Sequence, residues 1–405
     1  MEKVCVMGLG YIGLPTSSLL ASKGFKVHGV DINPKVVETI NRGEIHIHEP
    51  DLDILVKSVV SSGNLRASLQ PLPADVYIIA TPTPLKDNWI PDISYIEAAT
   101  EAIAPYLAPN NLVILESTSP VGTTEKIGNW LELLRPDLDV HSSLYLAHCP
   151  ERVLPGQILK ELVSNDRIVG GINQASADKA AAFYRQFVTG KILCTEVRTA
   201  ELAKLTENAF RDVNIAFANE LSLICEKLNI NVWELIELAN HHPRVNILQP
   251  GPGVGGHCIP VDPWFIVNSA PEQARLIRTA REVNDAKLHH VISKIKEKAC
   301  QFKEPMIACL GLTFKADVDD LRESPAVSIV QKLAQSQFRG ILVVEPHISQ
   351  LPQSLAKLSV TLTNLEVALS AANIVVLLVN HSQFVNVNRE RIKDKIVIDT
   401  RGILQ

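Results

Sequence analysis

Cys258 stands in a stretch of unusual composition, Gly253-Val254-Gly255-Gly256-His257-Cys258-Ile259-Pro260-Val261-Asp262. Glycines beside a thiol let a small molecule approach backbone and sulfur together, and a loop cysteine in such a setting is suited to act as a nucleophile. Asp262 follows four residues on. Inert packing is the default for a cysteine, and Cys5, Cys194, Cys225, Cys300 and Cys309, which lie in apolar or helical patterns, are assigned to it. A second group falls on one predicted helix, where Lys204, Asn208 and Arg211 share a face. A cation and an amide donor placed there can stabilise a developing oxyanion, each such donor contributing about 3–4 kcal/mol in the transition state.

A third group is Gly8-Leu9-Gly10-Tyr11-Ile12-Gly13, which follows one predicted strand and opens a helix. Gly8 permits the tight turn, Gly10 lets the backbone approach a pyrophosphate, and Gly13 allows close helix–strand packing. The helix N-terminus then offers N–H groups to the phosphates. Asp31 ends the second strand, 18 residues after Gly13. An acid there accepts hydrogen bonds from the adenosine ribose and repels a 2′-phosphate, so NAD is expected rather than NADP. Thr83, Thr118 and Thr124 follow two further predicted strands, whose ends line such a cofactor crevice.

NAD and a thiol nucleophile together permit more than NAD alone. One hydride leaves a primary alcohol to give an aldehyde. The thiolate adds to it, and the thiohemiacetal loses a second hydride to a second NAD. Water then releases a carboxylate from the thioester, so four electrons leave the alcohol without release of the aldehyde.

These groups need a scaffold. Residues 4–7, 26–30, 76–80 and 112–116 read as short buried strands, with helical patterns at 14–23 and 93–107. The alternation implies βαβ units and a parallel sheet. From about 199 to 228 runs one long helix, with Leu202, Leu205, Ala209, Val213, Ala216 and Glu220 on the side opposite Lys204. In the stretch 243–263, nine of 21 residues are Gly or Pro, a functional loop by its length. Helix resumes over 272–298. A second α/β run follows, with strands at 307–310, 341–345, 374–379 and 396–399 and helices at 325–336 and 365–371. The fold class is α/β, two Rossmann-like doubly wound domains joined by a central helical domain: 1–197 for the cofactor, 198–299 with the lysine and cysteine, and 300–405.

The 405 residues are ample for such cores. Charged residues are 20% and apolar ones 46%, which excludes a disordered or fibrous chain. A net charge of −5 disfavours a general nucleic-acid or anionic-membrane binder. The seven cysteines form no C-x-x-C pair, so a reducing compartment is expected. No signal peptide is read at the N-terminus, and the apolar runs fall far short of the ~20 residues of a membrane span, so a cytoplasmic protein is expected. His46 and His48 have ligand-like spacing, but nothing converges on them and no metal is expected.

Along essentially its full length the chain resembles the UDP-glucose/GDP-mannose dehydrogenase family. The resemblance rests on 8–13, Glu116-Ser117-Thr118, Cys149-Pro150-Glu151-Arg152, 202–208, 255–262, Phe314-Lys315 and Arg322-Glu323-Ser324. It implies Cys258 as nucleophile, Lys204 and Asn208 at the oxyanion, Asp262 and Thr118 ordering water, and Glu151 assisting thioester hydrolysis. Tyr11, Ile12, Asp31, Thr83 and Thr124 would contact NAD. Arg152, Val153, Arg211, His242, Arg244 and Gly255 would line the sugar and phosphate site, and Phe314, Lys315, Arg322 and Arg401 would bring the last domain onto UDP. Arginines suit a diphosphate through their multiple charge-assisted donors.

Three stretches, 41–52, 151–156 and 242–248, point within the family to UDP-N-acetyl-D-mannosamine as the sugar oxidised at C6, for cell-surface polysaccharide synthesis. Pro260 departs from that pattern, which usually has alanine there. UDP-N-acetylglucosamine or UDP-glucose remain alternatives, since the residues facing C2 are not legible. A non-catalytic nucleotide-sugar binder would more plausibly lack Cys258 or Lys204, and a simple hydroxyacid dehydrogenase would not require the third domain. The resemblance further implies a homodimer through the central helix.

Overall fold

The computed structural model describes residues 2–336, 338 and 340–404. The chain forms two compact units, residues 1–207 with 264–270, and residues 208–263 with 271–405.

Among the described residues the first unit holds eight strands: β1 (Lys3–Met7), β2 (Lys26–Val30), β3 (Leu65–Ser68), β4 (Val76–Ile79), β5 (Leu112–Leu115), β6 (Tyr145–His148), β7 (Arg167–Gly171) and β8 (Ile192–Glu196). Their order is β3-β2-β1-β4-β5-β6-β7-β8. The first six give the dinucleotide-binding order 3-2-1-4-5-6, and β7 joins β6 antiparallel, carrying β8 parallel beyond it. The central strands β4 and β5 are buried at every residue, hence their unbroken Val/Ile/Leu/Tyr runs. Alternate residues feed two cores. Val4 and Val6 join Leu14, Leu20 and Val56 on one face, while Cys5 and Met7 join Ile96, Ile103 and Ile127 on the other.

The second unit is built on β9 (Met306–Leu310), β10 (Gly340–Val344), β11 (Val360–Leu362), β12 (Ile374–Leu377) and β13 (Ile396–Asp399), all parallel, in the order β11-β10-β9-β12-β13. One face packs on the helices Arg275–Ala299 and Pro325–Ala334. The latter starts where Ser324 accepts from the N–H groups of Ala326 and Val327, with Pro325 in the first turn.

The structure corrects several sequence readings. Strands β3, β6, β7, β8 and β11 were not expected; β8 is an edge strand with no buried residue and β11 has three residues, so neither carries a buried apolar run. The long helix runs Val197–Leu228, but its buried stripe is rotated from the expected one. Leu202 is 42% exposed and Glu220 is exposed, while Glu201, Asp212 and Asn219 are buried. A purely apolar wheel misses them because each buried polar group has its own partner: Glu201 with Gly122 and Thr124, Asp212 with Arg281, Asn219 with Asn284 and Gly251. Cys194, on the edge strand, and Cys300, capping the Arg275–Ala299 helix, are exposed rather than packed.

Candidate active site

The cofactor turn lies in the first unit. Gly8 has φ +94°, and a Cβ there would meet the Ala80 carbonyl at 2.7 Å. A Cβ on Gly13 would lie 1.8 Å from the Gly8 oxygen, so only glycine lets the helix approach its own turn. Gly10 is different, because a Cβ there would meet nothing within 4 Å. That open space is where a pyrophosphate would rest. The helix it introduces, Gly13–Ser22, has no side-chain cap and no acid in its first turn, so its dipole is left for an anion. The Asp31 carboxylate closes the turn, accepting from the N–H groups of Leu9 (3.1 Å) and Asn33 (2.9 Å). These residues fit NAD.

Across the ends of β4 and β5, the Thr83 hydroxyl donates to the Thr118 carbonyl at 2.6 Å. Thr124 is buried, and its hydroxyl and N–H both go to Glu201, which also accepts from the Gly122 N–H. Glu201 thus shapes the loop that carries Thr124. The sequence hid it, since a glutamate in the core register of a helix reads as a pattern fault.

Glu151 is buried, and Arg167 donates to it at 3.2 Å while lying 3.6 Å from Glu116. Burial, with the charge of Glu151 beside it, pushes the Glu116 carboxyl well up despite Arg167. Arg167 further donates to the Leu162 carbonyl and lies over the Tyr184 ring at 5.2 Å. Arg152, expected at the sugar site, is bidentate to Glu207 (2.6 and 3.1 Å) and donates to the Asp166 carbonyl. Val153 packs half-buried against the core. Glu49 anchors the segment after Glu151 by accepting from Gly156 and Ile158. Lys204 is half-buried on the long helix.

In the second unit, Asn208 donates to Asp262 at 2.6 Å, both side chains buried. The Cys258 carbonyl accepts from the N–H groups of Val261 and Asp262, a turn that puts Asp262 at the start of the helix Asp262–Ser269 and leaves Cys258 exposed. Pro260 sits inside this turn, where neither of those bonds needs its N–H. The glycines of the loop are required by contact. A Cβ on Gly255 would lie 2.7 Å from the Glu323 carbonyl and 2.9 Å from the Phe314 Cβ, and Gly256, at φ +89°, faces the Phe314 ring. The Gly256 N–H donates to the Arg322 carbonyl. The cysteine loop and the Phe314 and Arg322 segments, far apart in sequence, therefore form one packed group. Arg322 is held by Asp320 at 2.5–2.9 Å.

Arg401 follows β13 and donates to the Leu378 carbonyl at 3.1 Å. Burial lowers its guanidinium to about 10, with Asp399 opposing. Beside it lies a cavity of about 520 Å³ lined by Trp233, Asn240, His241 and Gln249 among others. The Arg244 N–H approaches His242 Nδ1 at 3.4 Å, and Arg211, His242 and Arg244 are exposed. Lys315 is also exposed.

Residues 2–188 match the NAD binding domain of the UDP-glucose/GDP-mannose dehydrogenase family, residues 198–286 its central domain, and residues 308–405 its UDP binding domain. An NDP-N-acetyl-D-galactosaminuronic acid dehydrogenase of Ralstonia nicotianae is 61% identical, over 99% of this chain and 96% of that one. A UDP-N-acetyl-D-mannosamine dehydrogenase of Campylobacter jejuni is 58% identical, over 96% and 98%. The solved UDP-D-ManNAc dehydrogenase of Pyrococcus horikoshii superposes with a TM-score of 0.89 at 41% identity, covering 100% of this chain and 96% of that one. With its NAD turn and its cysteine loop in place, the chain belongs to the UDP-glucose/GDP-mannose dehydrogenase family.

Proposed function

We propose that the chain oxidises the C6 primary alcohol of UDP-N-acetyl-D-mannosamine to the carboxylate, consuming two NAD and one water and releasing two NADH and three protons. The observation that carries this reading is the exposed Cys258 in a glycine loop packed on Phe314, four residues before a buried Asp262 that takes a hydrogen bond from Asn208. NAD, when bound, accepts the two hydrides. The Cys258 sulfur adds to the aldehyde carbon and leaves when water attacks the thioester. Lys204 and Asn208 stabilise the oxyanion, Asp262 and Thr118 order water, and Glu151 assists hydrolysis. Arg152, Val153, Arg211, His242, Arg244, Gly255, Phe314, Lys315, Arg322 and Arg401 hold the UDP-sugar. Tyr11, Ile12, Asp31, Thr83 and Thr124 hold NAD. The division at 1–197, 198–299 and 300–405 draws support from the three matched spans.

The mannosamine configuration draws support from relatives of that name at 54–58% identity. A second reading, the galactosamine configuration, is favoured by the relative at 61%. A panel of UDP-N-acetyl-D-mannosamine, UDP-N-acetylgalactosamine, UDP-N-acetylglucosamine and UDP-glucose with NAD decides among them. The preferred sugar should give two NADH per molecule; one NADH with accumulating aldehyde would refute the double oxidation. No helix among the described residues is long and apolar enough to cross a membrane, in keeping with a cytoplasmic enzyme supplying surface-polysaccharide synthesis. A homodimer through the central helix would cover Phe210, Phe217, Ile224 and Leu228, each 46–68% exposed.

A further inference from the structure

The second unit repeats the cofactor turn of the first, bond for bond. Gly8 and Gly311 have φ +94° and +93°. The Gly8 N–H donates to the Val30 carbonyl and that of Gly311 to the Val344 carbonyl, both at 2.8 Å. The N–H groups of Leu9 and Asn33 go to Asp31, at the end of β2. Those of Leu312 (2.7 Å) and His347 (3.0 Å) go to Glu345, at the end of β10. Glu345 is thus the counterpart of the ribose-binding acid.

The second turn has been put to another use. Thr313 stands where the first turn has Gly10, so the open space for a pyrophosphate is filled. Glu345 is 5% exposed and turned inward, accepting also from the Thr313 N–H and from His381 Nε2 at 3.0 Å. His381 is fully buried, and its Nδ1 accepts from the Asp317 N–H at 2.9 Å. In the neutral ring the proton therefore sits on Nε2, directed at Glu345 and at the Thr313 hydroxyl 3.2 Å away. That hydroxyl in turn donates to the Lys315 carbonyl at 2.8 Å.

Asp317 has φ +57°, a conformation that persists only when its surroundings fix it. Its N–H is held by His381, and its carboxylate accepts from the Ser382 N–H and hydroxyl. The segment 312–317 is therefore fastened at Leu312, Thr313, the Lys315 carbonyl and Asp317, with Phe314 held between the fastenings. Phe314 is the residue against which Gly255 and Gly256 pack.

We infer that Glu345 and His381 are positioning residues that clamp the Phe314-Lys315 segment in its UDP-sugar-binding shape beneath the cysteine loop. The inference rests on the reading of Phe314 and Lys315 as UDP-sugar contacts. In the full-length enzyme, His381→Phe should raise the KM for the UDP-sugar about tenfold while the KM for NAD stays within about twofold. His381→Gln, whose amide can still donate to Glu345, should recover most of the loss. Thr313→Val, nearly isosteric, carries the same test if His381→Phe does not fold, with about a fivefold rise expected. A UDP-sugar KM within about twofold of the parent in these variants, or equal movement of both KM values, would overturn the inference. Absence of turnover with every UDP-sugar in the parent would instead remove the functional reading. Calorimetry with UDP alone then decides the clamp, since affinity about tenfold weaker in the variants supports it and unchanged affinity refutes it.

Discussion

Arg167 brings one positive charge to two buried carboxylates, Glu116 and Glu151. Burial pushes the Glu116 carboxyl upward, and the single Arg167 charge, shared with Glu151, only partly opposes it. Glu151 takes the Arg167 hydrogen bond and is thereby fixed in direction beside the segment that carries Arg152. Arg167→Met should cost about 3–5 kcal/mol in chemical denaturation, because it leaves buried charge uncompensated. A loss below about 1 kcal/mol would show that the cluster relaxes by hydration. His148 lies near it in sequence, fully buried at the end of β6 beside the Leu115 backbone. Burial lowers its pKa to about 3. Between about 3 and 6.5 the unfolded chain binds a proton that the folded one does not, so stability falls as pH falls through that window, by about 1.4 kcal/mol per unit. His148→Leu should flatten the acid limb of a stability–pH curve, and a limb of unchanged slope would place the titrating group elsewhere.

At the scale of elements, the glycine turn separates folding from binding. Gly13→Ala puts a methyl into the Gly8 carbonyl and should destabilise the first unit by about 3 kcal/mol or more. Gly10→Ala meets nothing in the protein, so the melting temperature should hold within a degree or two while NAD binding weakens at least about tenfold through crowding of the pyrophosphate. Equal damage to stability from both would contradict the division of labour. This turn was legible because each glycine answers to a steric demand within a short span of chain. The long helix was less legible. Its buried face is set by Glu201, Asp212 and Asn219, whose partners Thr124, Arg281 and Asn284 are scores of residues away, and local periodicity cannot see them.

At the scale of the whole molecule, the chain is an NAD-dependent nucleotide-sugar dehydrogenase whose two sheets are built on the same turn. One sheet keeps the turn open at Gly10; the other fills it at Thr313 and folds its acid inward. The proposed dimer places the exposed row of Phe210, Phe217 and Ile224, spaced by seven, against a second copy. Phe217→Glu should convert a dimer to a monomer in analytical ultracentrifugation, with the melting temperature becoming independent of concentration. A parent already monomeric at micromolar concentration would refute that interface.

The sequence by itself determined the α/β class and the NAD-domain glycine turn closed by Asp31, and it singled out Cys258 among seven cysteines as the proposed nucleophile. Each depends on residues that are neighbours in the chain or on a strand–turn–helix unit. Only the tertiary structure decided that Asn208 meets Asp262, that Phe314 lies under Gly255 and Gly256, and that Arg167 joins Glu116 to Glu151. Only there does Glu345 show itself as the counterpart of Asp31, held inward by His381. Those pairings join strands and loops tens of residues apart, and the cost of leaving a buried polar group without a partner makes them specific.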